Sequence, residues 1–214
     1  MDAGAPGDWS LLVSTLAERR IGLDGLDAIL LTHAHSDHVG FAERGRAEAG
    51  AHVWIHGADA AVARGAKPPK NDASLAPHLF RLQTWRTAVS LMRRGGIKIV
   101  PVAEVSEFAD GDVVDVPGRP RVAHTPGHTP GHSSLVFDDR EAVLCGDAIV
   151  THNPLTGRVG PQIMPSAFNR DSAEALRSLD RLAGLTGVLF PGHGDPFTGG
   201  ASEAVRLARA AGRS

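Results

Sequence analysis

The strongest constraint in this sequence is a junction. The apolar run Leu26-Asp27-Ala28-Ile29-Leu30-Leu31 passes directly into Thr32-His33-Ala34-His35-Ser36-Asp37-His38-Val39-Gly40. Three histidines and one aspartate therefore fall within six residues, at the C-terminal end of a segment that reads as a buried strand. Imidazole suits zinc and iron, and carboxylate oxygen suits harder or borderline cations. A loop of the form H-x-H-x-D-H can aim alternate side chains at one centre and the others at a neighbour. One loop cannot complete a sphere of four or five ligands, so the chain must fold in a way that adds donors from elsewhere.

Three further segments offer them, each where a strand gives way to a turn. In "HTPGHTPGHSS", residues 124–134, the unit Thr-Pro-Gly-His occurs twice, and Pro-Gly fixes tight turns that can present His128 or His132 inward. Spacing alone does not choose between these two. In "LCGDAI", Asp147 follows a strand and Gly146 permits close backbone approach. In "LFPGHGDP", Pro191 and the glycines flanking His193 force a turn directly after a buried strand. Ser36 lies beside the first ligands, but no G-x-S-x-G surrounds it, which argues against a serine nucleophile.

Around these segments the pattern alternates. A helix capped near Asp8-Trp9-Ser10 runs to Gly22, a strand is expected over 26–31, a short helix after Gly40, and a strand over 51–55. A Pro/Lys-rich loop over 67–71, the one candidate for a mobile lid, precedes a long amphipathic segment over 76–94. Short strands are expected over 97–100, 112–116, 121–123, 134–137, 142–144 and 188–190, with helices over 172–183 and 201–210. No composition break divides the chain, so one α/β domain over 1–214 is expected. The formal net charge of −2 carries no basic excess that would recommend nucleic acid, and no apolar run reaches the length of a membrane span. The single cysteine, Cys145, excludes an intramolecular disulfide framework and suits a reducing compartment, so the expected location is cytoplasmic and neither nucleic acid nor a membrane is an expected partner. By strand alternation Cys145 and Asp147 would share a face, with burial of the thiol favoured over ligation.

At these four motifs the sequence resembles the metallo-β-lactamase-fold hydrolase superfamily. "THAHSDHVG" is similar to its signature loop, "TPGHTPGH" to its third-histidine turn, "GDAI" to its bridging aspartate and "PGHGDP" to its last histidine, in the same order, from Asp2-Ala3-Gly4 to about Gly200. The resemblance implies a four-layer αββα sandwich. It implies that His33, His35 and His128 hold one divalent ion, that Asp37, His38 and His193 hold a second, and that Asp147 bridges them, with Asp37 also catalytic. It selects His128 over His132, which becomes a support for the ligands. The implied ions are two Zn2+, with iron or manganese as substitutes. Two such cations share a water and lower its pKa toward ~7, and the resulting bridging hydroxide attacks the substrate.

Departures from individual branches narrow the expected reaction. True β-lactamases of the first group carry cysteine where Asp147 stands. Homoserine-lactone lactonases rely on a tyrosine, which this chain lacks altogether. Glyoxalase II carries a helical C-terminal domain, and only about 20 residues follow His193 here. The expectation is a hydrolase of a small-molecule ester, thioester or lactone. The alternatives are a mononuclear-iron persulfide dioxygenase-like oxidoreductase and an inactive, truncated fold module. Pocket candidates outside the ligands are His152, Asn153, Arg158 and Gln162, while Phe80 and Trp85 read better as core. The superfamily places strands before its D-x-G motif, which begins here at Asp2. The N-terminal sheet is thus expected to lack its usual first strands and to leave an edge open beside 26–31, so that either the true start lies upstream or the chain associates through that edge as a homodimer.

Overall fold

The structure is a computed structural model that describes residues 1–213. The chain divides into two compact units, the first formed by 1–68 and 88–108, the second by 69–87 and 109 onward.

The first unit opens with a 3-10 turn, Pro6–Asp8, and helix α1, Trp9–Glu18, which closes at Arg20 in the left-handed region. Strand β1 (Ala28–Leu30) is followed by the single-turn helix α2 (Ser36–Val39), α3 (Ala42–Ala49), β2 (His52–His56) and α4 (Gly57–Ala63). Helix α5 (Leu82–Arg93), within which the division between the units falls, leads to β3 (Ser106–Phe108). The three strands form a parallel sheet in the order β1-β2-β3. Such a sheet is covered on both faces, which explains the continuous apolar run at its start. Ile29, Leu31, Val53 and Ile55 from the sheet pack with Val39, Ala42, Ala60 and Ala63 from the helices. β1 lies at a sheet edge, where the Asp2 amide donates to the Leu30 carbonyl at 2.8 Å.

The second unit contains β4 (Arg121–His124), β5 (Ser133–Phe137), β6 (Ala142–Gly146), β7 (Val150–His152), β8 (Val159–Gln162), α6 (Ser172–Ser178), β9 (Val188–Pro191) and α7 (Ala201–Ala211). Its main sheet runs β4-β5-β6-β9, an antiparallel meander with β9 added in parallel, and β7 and β8 form a separate hairpin. On α7 the buried positions Ala201, Ala204, Val205 and Ala208 recur at helical spacing and meet Val143, Cys145 and Leu189 of the sheet together with Leu179 and Leu182. Each of the three leucines is fully buried, and burial of such a side chain stabilises by about 2 kcal/mol.

Several expected elements shift. The segment 97–100 is not a strand; the third strand of its sheet is Ser106–Phe108. The segment 112–116 contributes a single bridge, Val113 to Arg121. The stretch 76–94 breaks into a 3-10 turn, Ala76–His78, and α5, and the Leu79 carbonyl between them takes the Trp85 indole N–H at 2.7 Å. The hairpin of β7 and β8 was not expected. Asn153 and Gln162, read as pocket candidates, are buried and hold it together: Asn153 donates to Gln162 and accepts from the Leu155 and Thr156 amides, while Gln162 donates to the carbonyls of Arg158 and Gly160. Phe80 and Trp85, read as core, are exposed.

Candidate metal centre

In the first unit the chain leaves β1 and turns into α2, carrying His33, His35, Asp37 and His38 on consecutive turns of backbone. Donor atoms of His33 and His35, of His33 and His38, and of Asp37 and His38 each lie within 4.8 Å of one another. The loop is clamped to the N-terminal segment. The Ala3 amide donates to the His38 carbonyl, and the amides of Gly40 and Phe41 donate to the carbonyls of Gly4 and Ala3. A Cβ at Gly40 would sit 2.3 Å from the Gly4 oxygen, so only glycine allows this approach. From the other side the buried Asp59 of α4 accepts from the Ala34 amide at 3.1 Å.

Hydrogen bonds assign the tautomers here. Asp2 accepts from the Thr32 amide at 2.7 Å, from the Thr32 hydroxyl at 3.0 Å and from His38 Nδ1 at 2.9 Å. Because the Thr32 hydroxyl gives its proton to Asp2, it accepts from His33 Nδ1–H at 2.9 Å. In both His33 and His38 the protein partner therefore engages Nδ1 and orients Nε2 as the ligand atom, the arrangement that protein partners impose on metal-binding imidazoles. His33 Nε2 lies 3.1 Å from His35 Nδ1. The Ser36 hydroxyl is committed to the Gly96 carbonyl at 2.5 Å, which agrees with its dismissal as a nucleophile.

In the second unit three turns do the same work separately. Gly127 has φ +123°, and a Cβ there would lie 2.1 Å from the Ala175 nitrogen, so the Pro-Gly turn before His128 admits no side chain. His128 Nδ1 donates to Asn169 Oδ1 at 2.9 Å, and the Asn169 amide is oriented by its own donation to the Met164 carbonyl and the Ser172 hydroxyl. His128 Nε2 then faces Asp147 Oδ2 at 3.3 Å, and His193 Nε2 faces the same oxygen at 3.4 Å. An imidazole lone pair against a carboxylate oxygen is electrostatically unfavourable, and a cation at that point relieves it. The donor set therefore fits a divalent ion. His132 differs: the Asp147 amide donates to its Nε2 at 3.0 Å, and its Nδ1–H is directed at Thr125. It supports the backbone of Asp147 rather than joining the donors. The turn at His193 is held by the Thr151 amide, which donates to the His193 carbonyl at 3.0 Å.

Cys145 and Asp147 part company. Gly146, at φ +51°, ends the alternation of β6, so the thiol packs in the apolar core and donates to the Ile149 carbonyl at 3.2 Å. Burial pushes that thiol far above the usual range of cysteine. Sequence reasoning gave no role to Asp59 or Asn169 and read Asp2 only as part of a motif. Asn169 lies in a segment without any local signal, whereas an aspartate preceding the first ligand strand was visible.

The fold and these donor sets define an α/β protein built to bind metal through histidine and carboxylate. The sequence profile of the Metallo-beta-lactamase superfamily matches residues 1–193, and the chain belongs to that superfamily. It is 32% identical to the Probable metallo-hydrolase YflN of Bacillus subtilis over 93% of this chain and 76% of the relative. It is also 32% identical to a Hydroxyacylglutathione hydrolase of Acidiphilium cryptum over 87% of this chain, which spans 64% of that relative. Among solved structures, the metallo-beta-lactamase family protein TTHA1429 of Thermus thermophilus superposes with a TM-score of 0.67 and 26% identity, covering 97% of this chain and 67% of that one. TTHA1623 in a di-iron-bound form superposes at 0.61 with 28% identity, covering 92% and 82%.

Proposed function

We propose that this chain is a dinuclear metal-dependent hydrolase of a small-molecule ester, thioester or lactone, with the thioester class foremost. In this reading His33, His35 and His128 hold one ion, Asp37, His38 and His193 the other, and Asp147 bridges. The observation that carries it is the tautomer pattern: His33, His38 and His128 each engage Nδ1 with a protein partner, which orients Nε2 as the ligand atom. Two ions held together would lower the pKa of a shared water and polarise the carbonyl under attack. The chain's own contribution is orientation. Asp2 and Asn169 fix the imidazoles, His132 fixes the Asp147 backbone, and Asp37, the catalytic carboxylate of this reading, remains partly accessible on α2. Support for the thioester class comes from the hydroxyacylglutathione hydrolase relatives and from an atrochrysone carboxyl ACP thioesterase of Aspergillus fumigatus, 25% identical over 87% of this chain. Support for two ions comes from the di-iron-bound relative.

Elemental analysis of the purified chain, together with rates on a chromogenic ester, thioester and lactone panel, tests the reading. About two transition-metal ions per chain and hydrolysis abolished by chelation are expected. Folded, metal-free protein that still hydrolyses these substrates would overturn it, as would a single iron with sulfur-dependent oxygen uptake.

A further inference from the structure

Helix α5 is turned the wrong way round for a helix in water. Its buried side carries Thr84, 5% exposed, whose hydroxyl donates to the Leu155 carbonyl at 3.4 Å, and Thr87, whose hydroxyl donates to the Pro154 carbonyl at 2.6 Å. Its outward side carries Leu82, Trp85, Val89 and Met92 at spacings of three and four, with Leu82 66%, Trp85 56% and Met92 63% exposed. The hydroxyl bonds fix this orientation, so the apolar stripe is not available to the core. Trp85 has its indole N–H already satisfied by the Leu79 carbonyl, which leaves an apolar ring facing out. Exposed Phe80 extends the stripe before the helix begins.

The charges on α5 itself are of one sign, while Arg94 just after it pairs with Asp8 at 3.1 Å. Arg86 and Arg93 are exposed on the same side of α5. Between Asp72 and Glu104 the sequence holds five cations, Arg81, Arg86, Arg93, Arg94 and Lys98, and no acidic residue. A helix with an aromatic and aliphatic stripe bordered by arginines is suited to lie in the interface of a bilayer whose headgroups are negative. We propose that the outward face of α5 docks on the surface of an anionic lipid bilayer. A second copy is the poorer occupant, because an antiparallel pairing of two α5 helices would bring Arg86 and Arg93 of both chains together with no carboxylate on either helix to offset them. Docking face-on needs no spanning segment, and among the described residues no helix is long and apolar enough to cross a membrane. It does revise the expectation that no membrane is involved, which rested on the lack of a span.

Co-sedimentation of the full chain with vesicles tests this. At low salt the protein should sediment with vesicles of phosphatidylcholine and phosphatidylglycerol in equal parts, stay in solution with phosphatidylcholine alone, and detach as salt shortens the screening length. Trp emission should shift to the blue on binding, and Trp85→Phe should remove that shift while keeping the sedimentation. Arg86→Gln with Arg93→Gln should leave the melting temperature unchanged and lower the partition coefficient about thirtyfold. No sedimentation with the mixed vesicles, equal sedimentation with both kinds, or a double arginine variant that binds like the parent would each overturn the proposal. So would a concentration-dependent dimer in light scattering that Trp85→Glu splits, since the stripe would then belong to a second copy.

Discussion

The first unit places four candidate ligands on one stretch of six residues, and the second places three on separate turns after β4, β6 and β9. The contrast extends to what holds them. In the first unit a single carboxylate, Asp2, reaches His38 directly and His33 through Thr32. In the second, Asn169 holds His128, His132 holds the Asp147 amide, and the Thr151 amide holds the His193 carbonyl. Contiguous ligands share their supports and should fail together, whereas dispersed ligands have one support each and should fail singly.

The largest effect tests the dispersed half at its centre. Asp147→Asn keeps the shape of the side chain but removes the charge facing both His128 and His193, and activity on the substrate panel should fall at least ~10²-fold. Elemental analysis should show one ion lost more readily than the other. Unchanged rates would mean that Asp147 does not bridge two ions.

Next, Asp2→Ala and Asn169→Ala set the shared support against the single one. Losing a partner of a metal-bound histidine weakens metal binding by roughly 10- to 100-fold, so Asp2→Ala should lie near the upper end and Asn169→Ala near the lower. Competition with a chromophoric chelator measures both. Equal losses would break the comparison, because they would mean that Thr32 and the backbone hold His33 without Asp2.

Two glycines sharpen it on the side of stability. Gly40→Ala meets a steric clash at ordinary φ and should cost about 2 kcal/mol in urea unfolding. Gly127→Ala meets a closer clash and adds a positive φ, and should cost about 3 kcal/mol or more. The reverse order would show that the turn before His128 can relax.

Cys145→Ala should do least. It lies in the core beside Asp147, so about 1 kcal/mol of packing is lost while metal content is unaffected. Its folded thiol titrates far above the unfolded one, so its contribution is complete below the unfolded pKa of about 8.5 and declines as pH rises beyond it. The alanine variant should therefore show a flatter loss of stability in alkaline solution. A steep decline in both proteins would assign that loss to other groups.

What could be read without the structure was set by closeness in the chain. The H-x-H-x-D-H loop, its strand and the turns at Asp147 and His193 are local patterns, in which ligand type, glycine and proline stand next to one another. His128 and His132 are equivalent locally, since both follow Thr-Pro-Gly or lie one such unit further on. Resemblance to a family favoured His128, but the physical difference lies in partners distant in sequence: Asn169 aligns one ring, and the Asp147 amide occupies the other. Trp85 illustrates the same limit. Helical spacing shows that α5 has an apolar stripe, yet which way the stripe faces depends on Thr84 and Thr87 finding carbonyls at Leu155 and Pro154. The strand at 97–100 was misplaced for a like reason, because β-branched residues favour extended backbone but a strand needs a neighbour to pair with, and β2 pairs with 106–108 instead. Local sequence determines which conformations and chemistries a segment can offer; hydrogen-bonding partners brought in from elsewhere in the chain determine which of them is used, because only they decide where each polar group is satisfied.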